Sequence, residues 1–353
     1  MKIHLFESEP WIKTAWQSTG SPLEVIWVEG MLTPDIARMY DDAEIISSDM
    51  SILSEALLKQ FTQLKLIAVR STGVDQIDLD YCSNQKITVC NVPAYAQNAV
   101  AEHVFALLLA IGRHIVETAQ RTKKFDFSWT GIQAFELRGK TLAVIGTGAI
   151  GRRVAMIARG FGMEVAAFDK FPDNTWAIEN GVRYMSVEDA LSLADVVTLH
   201  VPGAAETRNL LSEERFGLMK DGVVIINTSR GDVMDSGALL RALAGGKVAA
   251  AGLDVLPGEN RLLQEDARIQ TLQSDRDDLE MQIANHLLLQ HPRVIVTPHC
   301  AFYTKEAAQR LLEATVGNID AFVRGTPRNV RSTGTHFYNF HKSWRQDKKN
   351  TAQ

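Results

Sequence analysis

The segment Thr141-Leu-Ala-Val-Ile-Gly146-Thr-Gly148-Ala-Ile-Gly151 decides the fold of the middle of the chain. It joins a five-residue apolar run, typical of a buried parallel strand, to a GxGxxG turn. Beyond the turn, Ile150, Val154, Ile157 and Phe161 recur every three or four residues and predict a helix with one apolar face. GxGxxG alone is a weak signal, but between a strand and a helix it is the fingerprint of dinucleotide binding. We therefore predict a Rossmann-type domain around this segment.

Each glycine of the turn has a predicted task. Gly146 permits the tight turn, Gly148 lets the backbone approach a pyrophosphate, and Gly151 lets the helix lie close to the strand. Asp169 follows the next predicted strand, eighteen residues after Gly151, where a carboxylate accepts hydrogen bonds from ribose hydroxyls. The same charge repels a 2′-phosphate, so we predict NAD as the cofactor. The alternative is a glycine-rich turn that binds nothing.

Outward from this segment, short apolar runs alternate with helical patterns, which predicts two doubly wound α/β domains with parallel sheets. One long helix is predicted over 99–118, and another over 304–324. The predicted strands are 3–6, 25–28, 44–46, 66–70 and 88–91 in the first domain, and 141–145, 164–168, 196–199, 223–226, 249–253 and 294–297 in the second.

We assign residues 97–299 to the NAD-binding domain. Residues 1–96 and 300–335 form a discontinuous, flavodoxin-like substrate domain if the helix over 304–324 packs back on the first domain. Residues 336–353, which mix aromatic and basic side chains, are a C-terminal tail.

Composition narrows the class of protein. The chain has 353 residues, a net charge of -5 and 46% hydrophobic residues, so we expect a globular protein without nucleic-acid or membrane partners. Its three cysteines show no metal-ligand spacing, and we predict no metal site. Acidic residues occur too early for a signal peptide, and no apolar stretch is long enough to span a bilayer. We expect the protein in the cytoplasm.

Polar residues stand where predicted strands of the second domain end. Arg230 follows strand 223–226, while Asp254 and Glu259 follow strand 249–253, and His299 follows strand 294–297. Ligands bind beyond the carboxyl ends of parallel strands, so we expect these side chains at one crevice. Reduction of a 2-keto acid needs a cation for the carboxylate and carbonyl, which Arg230 can supply, and a proton donor, which His299 can be. Glu259 can hold the imidazole and raise its pKa.

Several motifs together are specific, and they resemble the D-isomer-specific 2-hydroxyacid dehydrogenase family. They run in the family's order over about residues 65–305. The matching segments are 70–75 (RSTGVD), 93–103 (PAYAQNAVAEH), 139–151, 200–202 (HVP), 227–231 (NTSRG), 252–259 and 297–303 (TPHCAFY).

The resemblance implies that Arg230 binds substrate, Glu259 orients the histidine and His299 is the acid/base. It implies a small 2-keto/2-hydroxy acid as substrate, D stereochemistry and a homodimer. The substrate carboxylate is expected at the backbone N–H groups of Thr72 and Gly73. Further residues are assigned to substrate (Tyr95, Phe302) and to the cofactor (Ile150, His200, Pro202, Thr228, Ser229, Asp254).

Two departures from the family pattern stand out. Cys300 follows His299 where a small or hydroxylic residue is expected; it is either filler or a thiol activated by the neighbouring imidazolium. Residues 260–289 are a polar insertion in which Leu262, Ile269, Leu272, Leu279 and Ile283 predict part of an amphipathic helix.

Two other functions stay open at this point. One is a dehydrogenase for larger branched or aromatic keto acids, because the sequence does not fix the pocket volume. The other is an NAD-sensing corepressor-like binding protein on the same scaffold, which keeps the same arginine, glutamate and histidine.

Overall fold

A computed structural model of the protein describes residues 1–259 and 276–331. Internal contacts divide the chain into two compact units. Unit 1 comprises Met1–Tyr95 and the described residues from Thr304 to Arg331, and unit 2 comprises the described residues from Ala96 to Tyr303.

The described residues form thirteen strands and thirteen α-helices. The strands are β1 (Ile3–Leu5), β2 (Val25–Trp27), β3 (Ile45–Ser47), β4 (Leu66–Ala68), β5 (Thr88–Cys90), β6 (Thr141–Ile145), β7 (Glu164–Phe168), β8 (Val182–Tyr184), β9 (Val196–Leu199), β10 (Val223–Asn227), β11 (Val248–Leu253), β12 (Val294–Val296) and β13 (Val330–Arg331). The helices are α1 (Pro10–Ser18), α2 (Pro34–Met39), α3 (Glu55–Leu58), α4 (Leu79–Asn84), α5 (Gln97–Gly112), α6 (Ile115–Lys123), α7 (Ala149–Gly160), α8 (Asn174–Asn180), α9 (Val187–Leu193), α10 (Glu213–Leu218), α11 (Ser236–Ala244), α12 (Arg276–Gln290) and α13 (Lys305–Val323).

Unit 1 is a doubly wound sheet in the order β13-β5-β4-β3-β1-β2. Strands β1 to β5 pair in parallel, and β13 pairs antiparallel with β5 at the edge of the sheet. Strands buried on both faces, such as Ile45–Ser47 and Leu66–Ala68, explain the continuous apolar runs in the sequence. Helix α13 begins at the cap Thr304, whose side chain accepts a hydrogen bond from the Ala307 N–H, and packs on this unit through α1 and β4.

Unit 2 is a parallel seven-stranded sheet in the order β12-β11-β10-β9-β6-β7-β8. The order reverses between β6 and β9, so the switch point lies at the end of the glycine-rich strand, where open α/β sheets bind their ligands. Apolar side chains fill both faces of the sheet. One core includes Leu142, Val144 and Val154, and the other Ile145, Leu199 and Ile225. The prediction of two doubly wound α/β folds, Rossmann-type and flavodoxin-like, is confirmed.

The single helix predicted over 99–118 is wrong. Helix α5 ends at Gly112, α6 begins at Ile115, and the two meet at a bend of 58°. His114 breaks the helix because its backbone is left-handed (φ 52°), and the Phe135 ring lies against Gly112, where a β-carbon would be only 3.1 Å from it. Among the described residues no single helix has the length and apolarity to cross a membrane; only the bent pair α5 and α6 meets both criteria when combined.

The predicted apolar face of the insertion is also wrong where the structure describes it. In α12 the side chains of Leu279 and Ile283 are exposed, and the helix instead buries Ala284, Asn285 and Leu288. The Asn285 amide donates to the Pro257 carbonyl at 2.8 Å, which fixes this face of the helix. The other predicted members, Leu262, Ile269 and Leu272, lie outside the described residues.

Candidate active site

Two glycines of the turn stand where a side chain would not fit, and the third faces open space. Gly146 is left-handed (φ 98°), and a β-carbon there would lie 2.6 Å from the His200 carbonyl oxygen. A β-carbon on Gly151 would lie 1.9 Å from the Gly146 oxygen, so only glycine lets α7 approach the turn. Gly148 differs, because a β-carbon there would meet nothing within 4 Å. The space beside the Gly148 backbone is therefore open.

Asp169 is held at the end of β7 by the turn itself. Its carboxylate accepts hydrogen bonds from the N–H and hydroxyl of Thr147 at 2.6 and 3.0 Å, and from the N–H of Phe171 at 2.8 Å. These bonds fix the carboxylate beside the glycine-rich turn, where ribose hydroxyls would meet it.

Thr228 supplies a second observation that points to a ligand at this edge of the sheet. Its hydroxyl is buried and has no hydrogen-bond partner among the described residues. A buried polar group without a partner is costly, and a polar ligand would satisfy it. With Gly148, Asp169 and the N-terminus of α7, Thr228 therefore fits a bound dinucleotide.

His200 and Pro202 lie in the segment after β9. The His200 Nε2 forms a hydrogen bond with the Thr198 hydroxyl at 2.9 Å. Burial lowers the pKa of His200 to about 3, so the ring is neutral at neutral pH. The Pro202 carbonyl accepts a hydrogen bond from the Thr207 hydroxyl at 2.6 Å. Ile150, in the first turn of α7, is half-buried against the apolar core.

The loop that carries Arg230 is built around the side chain of Asn227. The Asn227 amide donates to the Arg230 carbonyl at 2.9 Å, and its oxygen accepts from the N–H and hydroxyl of Ser229 at 3.0 and 2.9 Å. A β-carbon on Gly203 would lie 3.1 Å from the Arg230 side chain, so glycine leaves room for the arginine. Asn227 was not among the residues predicted for the site; its place at the end of β10, inside the NTSRG motif, was the available signal.

His299 and Glu259 form a close pair. The imidazole Nδ1 lies 2.5 Å from Glu259 Oε1, and Glu259 Oε2 accepts a hydrogen bond from the Leu256 N–H at 3.1 Å. Burial by itself lowers the pKa of His299, but the Glu259 hydrogen bond and charge, with the charge of Asp254, outweigh it, and the pKa is raised above its ordinary value. Glu259 therefore favours the protonated form of the His299 imidazole.

Asp254 holds the segment in which His299 lies. Its buried carboxylate accepts hydrogen bonds from the Thr297 hydroxyl (2.5 Å) and from the N–H groups of Cys300 (3.0 Å) and Ala301 (2.9 Å). His299 itself has a left-handed backbone (φ 49°), a conformation that its surroundings must impose. The family resemblance assigned Asp254 to the cofactor; the contacts that the structure shows are to the His299 segment.

His103, like Asp254, contacts the segment that carries His299, and it was not predicted from the sequence. Its Nε2 lies 3.0 Å from the Thr297 hydroxyl and 3.5 Å from Asp254 Oδ1. It lies inside the PAYAQNAVAEH motif, which was the only signal for it. Phe302 packs edge-on against His299, with ring centroids 6.4 Å apart.

The predicted substrate residues of unit 1 lie on the segments that follow β4 and β5. The Thr72 hydroxyl donates to the Val92 carbonyl at 2.9 Å, and the Gly73 carbonyl accepts from the Ser71 hydroxyl at 2.7 Å. The Tyr95 carbonyl accepts a hydrogen bond from Arg310 of α13 at 2.8 Å. The structure thus groups the assigned residues of each unit at the carboxyl ends of its strands.

Comparison with known proteins decides the family. The profile of the D-isomer specific 2-hydroxyacid dehydrogenase NAD-binding domain matches residues 105–301. The chain is 38% identical to D-lactate dehydrogenase of Escherichia coli K12 over 92% of this chain and 98% of that protein. The chain belongs to the D-isomer-specific 2-hydroxyacid dehydrogenase family.

Two further matches agree with this membership. The dehydrogenase is 37% identical to glycerate dehydrogenase of Methylorubrum extorquens, over 88% of this chain and 92% of the relative. It superimposes with a TM-score of 0.79, at 37% identity, on the Aquifex aeolicus D-lactate dehydrogenase complexed with NAD and lactic acid, covering 92% of this chain and 96% of that one. The protein is an NAD-dependent 2-hydroxyacid dehydrogenase, and the predicted cofactor is confirmed.

The Cys300 thiol is not activated by its histidine neighbour. Burial and the Asp254 carboxylate raise its pKa, which keeps the thiol protonated. The reading of Cys300 as an oxidisable thiolate therefore loses its support, and the cysteine acts as a small half-buried side chain.

Proposed function

We propose that this dehydrogenase reduces small 2-keto acids, pyruvate in particular, to the D-2-hydroxy acids. The main support for this proposal is the His299–Glu259 pair: His299 Nδ1 and Glu259 Oε1 lie 2.5 Å apart, and the pKa of His299 is raised. The preference for a small substrate rests on the likeness to the two D-lactate dehydrogenases.

NAD, when bound, supplies or accepts the hydride at the substrate carbon. Gly148, Asp169 and Thr228 would hold it, because they offer the open turn, the ribose acceptor and the unsatisfied hydroxyl described above. The remaining chemistry falls to side chains of the protein.

In the proposed mechanism, protonated His299 donates its Nε2 proton to the carbonyl oxygen as the alcohol forms, while Glu259 holds Nδ1 and stabilises the imidazolium. In the reverse direction neutral His299 accepts the hydroxyl proton. Arg230 binds the substrate carboxylate and polarises the carbonyl, since its planar guanidinium matches paired oxygens. The N–H groups of Thr72 and Gly73 receive the carboxylate.

Activity with a panel of keto acids tests which substrate the enzyme prefers, and the Arg230→Lys variant tests whether Arg230 belongs to the active site. We expect kcat/KM to be highest for pyruvate among pyruvate, glyoxylate, hydroxypyruvate, 2-ketoisocaproate and phenylpyruvate. A higher value for phenylpyruvate or 2-ketoisocaproate would instead make it a dehydrogenase of larger keto acids. The absence of turnover on all five, with NADH bound, would favour the corepressor-like function.

Arg230→Lys keeps the charge but loses the planar fork, and we expect kcat/KM for the preferred keto acid to fall about a hundredfold or more. NADH affinity should stay unchanged. Arg241→Lys is the matched control, because Arg241 pairs with Glu213 on the surface. Equal kcat/KM for wild type and Arg230→Lys would remove Arg230 from the site.

We also propose that the protein forms a homodimer through unit 2. Phe125, Phe127 and Trp129 have exposed fractions of 89%, 80% and 86%, a cluster of aromatic surface that a second copy would bury. The mass measured by light scattering should be that of two chains, and the triple serine variant should be a monomer. A control variant, Phe171→Ser, should leave the mass unchanged. A monomeric wild type would overturn the proposal.

A further inference from the structure

A chain of side-chain amides, exposed at Asn329 and buried at Asn318 and Asn91, links the C-terminal part of unit 1 to the Thr72–Gly73 peptide. The Asn329 amide donates to Asn318 Oδ1 at 2.8 Å, the Asn318 amide donates to the Asn91 carbonyl at 2.8 Å, and the Asn91 amide donates to the Thr72 carbonyl at 2.6 Å. Asn91 and Asn318 are almost fully buried, with exposed fractions of 1% and 0%. We infer that Asn91 is the positioning residue for the N–H groups that receive the substrate carboxylate.

The inference follows from peptide geometry. In a trans peptide the carbonyl and the next N–H point in opposite directions. A bond from Asn91 to the Thr72 oxygen therefore turns the Gly73 N–H away from Asn91. The Thr72 hydroxyl, bonded to the Val92 carbonyl, clamps the same residue from its side chain. Together they set the plane of the Thr72–Gly73 peptide.

The backbone N–H groups of Thr72 and Gly73 make no hydrogen bond to the described part of the protein. In residues 1–259 and 276–331, neither the Thr72 nor the Gly73 N–H donates a hydrogen bond, although Gly73 is buried. Free backbone donors in a buried residue call for a polar ligand. An acceptor bond at the Thr72 oxygen also polarises the peptide and strengthens the Gly73 N–H as a donor.

The position of the Asn91 side chain costs free energy of folding, because one of its polar atoms is buried without a partner. Its Oδ1 is buried and has no partner among the described residues, so the amide satisfies its donor on Thr72 and leaves its acceptor unpaired. A side chain selected only for stability would have no reason to leave that oxygen unpaired. This observation separates a positioning role from a merely structural one.

Helix α13 supports both ends of the segment that follows β5. Asn318 bonds the Asn91 carbonyl, and Arg310, two turns earlier on the same helix, bonds the Tyr95 carbonyl. The helix therefore fixes the backbone from Asn91 to Tyr95, and through Asn91 it fixes the Thr72–Gly73 peptide.

The inference rests on the proposed carboxylate site, and inhibition by oxamate tests it. Oxamate is an unreactive keto-acid analogue that keeps the carboxylate. In Asn91→Leu we expect its inhibition constant to rise about tenfold, since small misplacement of binding groups has large effects. The Kd for NADH should stay at the wild-type value. The thermal midpoint should fall only slightly, because leucine removes the unpaired oxygen but also leaves the Thr72 carbonyl without its donor.

Asn329→Gly is the matched control. It removes the far amide of the chain but suits the left-handed backbone of Asn329 (φ 54°), and oxamate inhibition should stay near wild type. If Asn91→Leu does not fold, Asn318→Leu tests the same link by freeing the Asn91 carbonyl, and should raise the oxamate constant several-fold. Unchanged inhibition in the folded variant would overturn the inference.

Inhibition by pyruvamide, a neutral amide, distinguishes an incorrect role for Asn91 from an incorrect carboxylate site. If the wild type is inhibited equally well by oxamate and pyruvamide, the Thr72–Gly73 N–H groups do not receive a carboxylate, and the proposed site is wrong. If the wild type prefers oxamate and Asn91→Leu prefers it as strongly, only the role of Asn91 is wrong.

Discussion

His299 Nδ1 lies 2.5 Å from Glu259 Oε1, although forty residues separate the two in the chain. Glu259 is itself anchored by the Leu256 N–H, and the His299 backbone N–H donates to the Asp254 carbonyl at 2.9 Å. Both members of the pair are thus fixed on segments that follow β11 and β12. The protein's own hydrogen bonds therefore orient the His299 ring.

This pair predicts a pH dependence that differs between the two directions. Because Glu259 raises the pKa of His299, reduction should stay fast at pH values above the ordinary histidine pKa and decline as the ring loses its proton. In Glu259→Gln the pKa should fall, so the basic limb of reduction moves to lower pH. The acid limb of hydroxy-acid oxidation should move to lower pH as well.

The measurement is kcat/KM against pH in both directions for wild type and Glu259→Gln. Glu213→Gln, which changes a surface carboxylate paired with Arg241, is the control and should leave both limbs in place. Superimposable profiles for Glu259→Gln and wild type would show that Glu259 does not act on the catalytic histidine.

Asp254→Asn should lower stability as well as activity. The carboxylate accepts three hydrogen bonds in a buried position, and an amide nitrogen in place of one oxygen would face a donor. Mispairing a buried group costs about 1–3 kcal/mol, which lowers Tm by roughly 2–12 °C for a unit of this size. Calorimetry checks this, with Asp221→Asn as an exposed control. A Tm equal to wild type would mean that the His299 segment does not depend on Asp254.

Gly148→Ala and Gly151→Ala should fail in different ways. At Gly148 a methyl group meets no protein atom within 4 Å, so the fold should persist while NADH affinity falls at least tenfold, because the methyl occupies the approach to the pyrophosphate. At Gly151 the methyl would lie 1.9 Å from the Gly146 oxygen, and we expect a loss of stability of about 3 kcal/mol or more.

Thermal unfolding and NADH fluorescence titration separate the two glycine variants. An unchanged NADH affinity in folded Gly148→Ala would place the pyrophosphate elsewhere. A fully stable Gly151→Ala would show that α7 can move away from the turn.

Asp169→Ala should narrow the preference for NADH over NADPH. The Asp169 carboxylate, fixed by Thr147 and Phe171, would repel a 2′-phosphate, and like charges in close contact cost several kcal/mol. We expect the ratio of kcat/KM for NADH to that for NADPH to drop about tenfold or more. The control is Asp173→Ala, which removes the partner of Arg152 but not the ribose acceptor. Equal ratios in wild type and Asp169→Ala would assign the discrimination to another group.

The sequence alone determined the fold and the cofactor because those signals are local. Strand β6, the GxGxxG turn and helix α7 are contiguous, and the close approach that requires glycine at Gly151 is to the Gly146 oxygen, five residues earlier in the chain. Strands β7 and β9 were predicted with their observed ends, since buried parallel strands are continuous apolar runs. Strands β8 and β13 were missed because an arginine, Arg183 or Arg331, interrupts the apolar run of each, and both strands are partly exposed.

Only the tertiary structure decided what depends on contacts between distant segments. Four features were decided in this way: the bend at His114, the buried face of α12, the contacts of Asp254 with the His299 segment, and the amide chain from Asn329 to Thr72. The residues that meet in them are not spaced with the period of a helix or a strand, so no sequence pattern announces the contacts. Hydrogen bonds of a buried side chain depend on which strand ends are neighbours. That order is fixed by sheet topology, and the sequence shows the strands without showing how they are ordered.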